Sequence, residues 1–210
     1  MNHTDPCGGE LVRTKLHVRD IRCEGYQRSD GLWDIEATLT DTKTIGFFNH
    51  ERGEIPPGEP IHRMILVVTL DLDMTLVDIR AQMPFTPFQI CPRATEHLAR
   101  LTGLRIQPGW MREVRKRIPN TDSCTHLTEL LGPVFTTAYQ TMHQALEKQE
   151  KTKSERSTPP ILDQCHALAR DSAVVRVMWP QFHEPGQAGD SREPGSLRGR
   201  HPCKEPVKPQ

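Results

Sequence analysis

Long apolar runs are missing from this chain of 210 residues: the longest, Met64 to Val68, is far too short to cross a bilayer. No apolar targeting segment opens the sequence, so the expectation is a soluble, cytoplasmic protein with no membrane partner. Charge of one sign is missing too, with 27 Lys plus Arg against 27 Asp plus Glu. Together with only 5% aromatics, this leaves no basic, aromatic-studded surface, and nucleic acid is not an expected partner. The six cysteines (Cys7, Cys23, Cys91, Cys124, Cys165, Cys203) form no C-x-x-C pair, which excludes a small disulfide scaffold or a local zinc finger. Glycine-rich phosphate loops, G-x-S-x-G elbows and H-E-x-x-H motifs are absent, against nucleotide enzymes, ordinary serine hydrolases and zinc proteases. Any metal or redox site must be assembled from distant segments.

Apolar content is also low, at 35%, while prolines number 18 and glycines 14. Much of that imbalance sits in residues 184–210, where Leu197 and Val207 are the only aliphatics beyond alanine. That composition cannot offset the entropy of ordering and predicts a disordered C-terminal tail. A charged run from Lys148 to Pro160 reads as a linker between packed parts of one domain spanning residues 11–183. Residues 11–83 form its sheet part, 91–149 its helical part and 160–183 a returning helix and strand.

What is present has two periods. Trp33, Ile35, Ala37 and Leu39 alternate with Asp34, Glu36, Thr38 and Thr40, the pattern of a half-buried strand. Arg13–Cys23, Ile65–Asp71 and Thr75–Met83 are further strands, the last two joined by a hairpin at Asp71–Met74. From Cys91 the period turns helical. Ala94, Leu98 and Leu101 mark one helix ending at Gly103, and Trp110, Val114 and Ile118 a second. A third begins after Asp122-Ser123 and carries Leu127, Leu130, Leu131, Val134, Phe135, Ala138 and Met142, with Pro133 able to kink it. Ile161–Ala169 reads as a short helix and Ala173–Trp179 as a returning strand. The fold class expected is α+β, an antiparallel meander covered on one face by C-terminal helices.

Cys91 precedes Pro92, a favoured first helical residue, and Cys124 falls at the start of the long helix, where free N–H groups and the macrodipole favour a thiolate. The alternative is that both are small core residues. His126 lies two residues after Cys124, and thiolate with imidazole suits zinc or iron. His62 ends a Gly/Pro-rich loop before a strand. Cys91, Cys124, His126 and His62 are therefore the candidate metal ligands, with zinc or iron (including an iron–sulfur cluster) the candidate cofactors. A second cluster, Arg28, Asp30 and Lys43 at the ends of the Trp33 strand, suits a carboxylate or other anion, or else fixes the loops by internal pairing.

Several strings together, among them Tyr26-Gln27-Arg28-Ser29-Asp30-Gly31-Leu32-Trp33-Asp34, Asp41-Thr42-Lys43, Pro60-Ile61-His62 and Cys124-Thr125-His126-Leu127-Thr128-Glu129, resemble a bacterial family of unknown function, number 2889, from about Arg13 to Phe182. The resemblance implies no activity. Arg63 stands where that pattern leads one to expect Asp. Thr75 to Met142 is also similar in layout to NifU and SufE type iron–sulfur scaffolds, with Cys91 and Cys124 at the two cysteine positions and His62 or His50 in place of an early cysteine. Three functions follow as expectations: an accessory protein that binds metal or carries sulfur and works with a protein partner; a small-molecule enzyme acting on a carboxylated substrate, with Cys124 or His126 as nucleophile or acid–base group; and a non-catalytic binding module.

Overall fold

Alternation along one strand organises the molecule. In the computed structural model, which describes residues 12–152, 158–159 and 161–185, Trp33, Ile35, Ala37 and Leu39 are all buried on one face of strand β2 (Trp33–Lys43). β2 pairs antiparallel with β1 (His17–Gln27) and with β5 (Pro60–Leu70), and β5 with β6 (Leu76–Phe85), giving the order β1-β2-β5-β6. A side hairpin, β3 (Phe47–Asn49) with β4 (Gly53–Ile55), interrupts the meander between β2 and β5. Three-residue strands carry no readable period, so the sequence does not announce it. The Asp71–Met74 hairpin forms as expected: Asp71 Oδ1 accepts from the backbone N–H of Asp73 (2.9 Å) and Thr75 (2.8 Å).

One face of this sheet is covered. Met64, Leu66, Val68 and Leu70 of β5 join the β2 row in a core with Leu98, Leu101, Trp110, Val114 and Ile118, and with Leu127, Leu130, Leu131, Val134, Ala138 and Met142. The last group is the apolar stripe of helix α2 (Thr125–Thr152), which runs through Pro133. A proline there removes one N–H donor, but the buried residues on both sides hold the helix on the sheet. α2 passes so close to β1 that a Cβ on Gly25 would collide with the Thr141 side chain. The Trp110 helix, α1, spans Trp110–Arg117. The fold is thus α+β, an antiparallel sheet with helices on one face.

Several boundaries differ from the sequence reading. The first strand runs His17–Gln27 rather than Arg13–Cys23. Cys91–Leu101 is a 3₁₀-helix, and Cys91 is its first residue rather than its cap, which is Ile90. His62 lies inside β5, not in the preceding loop. Ala173–Met178, expected as a strand, is helix α3, because Ser172 caps it by accepting from the Val175 N–H (3.1 Å) and only Val175 is buried. The β-branched valines misled; the cap decides. Ile161–Ala169 holds only turns and one 3₁₀ turn, His166–Leu168, with Asp163 at φ +60° breaking any longer helix. Arg13–Glu150 forms one compact unit, and Lys151 onward falls with Val12 in another. Residues 186–210, most of the expected tail, and 153–157 and 160 of the expected linker lie outside the described residues.

Candidate metal centre

The buried row of β2 does not stop at Leu39. Asp41 is the next residue in phase and is 1% exposed. In an antiparallel sheet, directly opposed residues share a face. Asp41 stands opposite Arg19 on β1 and His62 on β5, just as Leu39 stands opposite Ile21 and Met64 one row further in. The core-facing side of the sheet therefore ends in a polar row drawn from three strands. The first turn of α2 lies against it, and His126 stacks on His62 with ring centroids 3.7 Å apart.

Everything in the row converges on the Asp41 carboxylate. Oδ1 accepts from Arg19 Nε at 2.8 Å and lies 3.1 Å from His17 Nε2. Oδ2 accepts from Arg19 Nη2 at 2.8 Å, with His62 Nδ1 at 3.1 Å and His126 Nε2 at 3.6 Å. Arg19 Nη1 donates to Glu129 Oε2, one turn along α2, at 2.6 Å. Burial would raise the Asp41 pKa, but the hydrogen bonds and charge of Arg19, helped by His17 and His62, outweigh it and hold the pKa at about 2. His62 and His126 are both pushed below the usual histidine value, chiefly by burial, so the neutral imidazoles that a metal requires are favoured. Among the described residues, one ligand atom each from Asp41, His62 and His126 lie within 4.8 Å of one another.

Of the residues singled out from sequence, His62 and His126 enter this cluster. Cys124 stands beside it: its carbonyl accepts the Thr128 N–H at 2.9 Å as α2 begins, and its Sγ lies 3.8 Å from His126 Nδ1, the ring nitrogen turned from Asp41. Cys91 is near enough for a charge on Cys124 to act on it, but burial, its largest influence, pushes its thiol pKa up, contrary to the thiolate expected at a helix start. Arg28 and Lys43 stand at opposite ends of the eleven-residue β2, on the order of 30 Å apart. Arg28 is taken up by Asp30 and Asp34, and Lys43 lies over the Phe47 ring at 4.8 Å. The structure does not bring Arg28 and Lys43 together, and Arg28 and Asp30 pair with each other. Arg63 is exposed and opposite Thr40, on the face away from His62, so the departure at that position does not touch the cluster.

The sequence did not mark Asp41 as a ligand, nor Arg19, His17 and Glu129 as members of the centre; His17 reads there as an unremarkable surface or core residue. The signal for Asp41 was available: a carboxylate in phase with four buried apolar residues must be paired. Arg19 and His17 had no such signal, because β1 is an edge strand with weak alternation, and Glu129 is an exposed residue of α2 outside its apolar stripe.

The fold and site define an α+β protein whose polar centre combines two histidines and a carboxylate. The chain belongs to the family of proteins of unknown function DUF2889, whose model matches residues 17–140 and so takes in Asp41, His62, Cys124 and His126. No curated protein matches the chain. No solved structure matches it either, and the layout likeness to NifU and SufE scaffolds gains no support.

Proposed function

We propose that this protein binds one divalent transition-metal ion through Asp41 Oδ2, His62 Nδ1 and His126 Nε2. One observation carries the reading. The two histidine nitrogens stand 3.1 and 3.6 Å from Oδ2, bracketing the ~3.4 Å separation of neighbouring ligands around a tetrahedral ion with bonds of about 2.1 Å. Two imidazoles and one carboxylate suit zinc or iron(II) and leave coordination positions for a further ligand. Relative to the sequence-based set, Asp41 takes the place of both thiols, and sulfur carriage is the weaker version because burial favours the neutral Cys91 thiol.

A second reading, a small-molecule enzyme, is favoured by the line from Cys124 Sγ through the His126 ring to Asp41, at 3.8 and 3.6 Å. Thiol, imidazole and carboxylate in that order form the pattern of an activated nucleophile. One set of preparations separates the two. Protein purified without chelator is expected to hold about one equivalent of metal by elemental analysis, and Asp41→Asn to lose it with its circular dichroism unchanged. Wild-type protein that takes up neither zinc nor iron, yet alkylates rapidly at Cys124, decides for the nucleophile.

A further inference from the structure

We infer that Arg19 is an exchangeable counter-cation for the centre: it competes with the ion for Asp41 Oδ2 and withdraws from that oxygen toward Glu129 when the ion binds. The inference rests on the metal reading and concerns how that site is regulated.

Three observations support it. First, a buried carboxylate needs a cation. Asp41 has one in Arg19, which spans both its oxygens at 2.8 Å each. The oxygen held by Nη2 is the one that faces both histidines, so guanidinium and metal ion address the same atom. Second, Arg19 approaches from the solvent side. It sits on an edge strand, its side chain is 35% exposed, and it is no member of the apolar core, so it can withdraw without opening that core. Third, the receiver is already in place. Arg19 Nη1 donates to Glu129 Oε2 at 2.6 Å, and Glu129 is 45% exposed on the rim. Charge accounting points the same way. With neutral histidines, Asp41, Arg19 and Glu129 together carry one negative charge, and a divalent ion turns that into one positive charge wherever the guanidinium sits. Withdrawal of Arg19 toward Glu129 takes its positive charge farther from the ion, where the two repel.

The competing view is that Arg19 only orients Asp41, as outer partners of metal ligands do, and the two views predict opposite signs. Removing an orienting partner weakens metal binding, commonly by about 10–100-fold. Removing a competing cation strengthens it. The experiment is a titration of the full-length apoprotein with Zn²⁺ against a chromophoric chelator, repeated with Co²⁺ to read the ligand field. Arg19→Gln is expected to bind roughly tenfold more tightly than wild type, and Glu129→Gln a few-fold more weakly because the receiver has lost its charge. Arg19→Lys keeps the charge but cannot span both oxygens; it is expected between wild type and Arg19→Gln, and it carries the test if Arg19→Gln does not fold. An Arg19 variant that binds as weakly as wild type or more weakly overturns the exchange while the metal reading stands. Folded wild type and variants that all ignore both ions overturn the two together.

Discussion

At the scale of single residues, the decisive feature is a carboxylate where the pattern calls for an aliphatic side chain. Asp41 is tolerated there because Arg19 and three histidines surround it. Their pKa directions separate two acid ranges. His62 and His126 have folded pKa values below the ordinary 6.5, so below that pH the unfolded chain binds more protons than the folded one. Their contribution to stability is present above about pH 6.5 and is lost as the pH falls through the lower folded values. The Asp41 contribution is present above its unfolded pKa of 3.8 and is lost only as the pH falls toward about 2. Urea unfolding at about pH 8 and about pH 5.5 should therefore show a lower midpoint in acid, and a His62→Gln/His126→Gln variant should flatten that difference. A midpoint equally acid-sensitive in the variant would assign the effect to other groups.

At the scale of elements, the position of α2 sets the geometry of the centre, because its first turn supplies His126 and a later turn Glu129. What holds α2 in place includes a close approach to β1. Gly25 leaves room for Thr141, whose Oγ1, Cγ2 and Cβ would all lie within 2.7 Å of an added Cβ. Thr137, one turn earlier, is near enough to act on the Cys23 thiol two residues before Gly25. Gly25→Ala should cost about 1–3 kcal/mol in chemical unfolding through overpacking. Thr141→Ala in the same chain removes two of the three clashing atoms and should restore part of the loss. Equal stability of Gly25→Ala and wild type would mean that α2 slides freely on β1. The helix periods were legible because a wide apolar stripe is a strong signal over 28 residues. The side hairpin and α3 were not, since elements of three or six residues are decided by turns and caps rather than by period.

At the scale of the whole molecule, the elements that carry the centre belong to one compact unit, Arg13–Glu150, and the family match falls inside it. The core that ties sheet to helices lies wholly within the same unit. A chain of residues 13–150 should therefore unfold cooperatively and retain the metal affinity of the full-length protein, measured by thermal circular dichroism and chelator competition. A broad, non-cooperative melt would show that the remaining residues contribute to folding.

By itself the amino-acid order determined the alternation of β2, the stripe of α2 and hence an α+β class, because those patterns record which side chains must leave water. It also marked His62 and His126 as groups worth following. Only tertiary structure decided that these two meet on Asp41, with Cys124 beside His126, and that Arg19 joins them. Strand register brings Arg19, Asp41 and His62 into one row, and register arises from pairing between segments more than twenty residues apart, which no local pattern encodes.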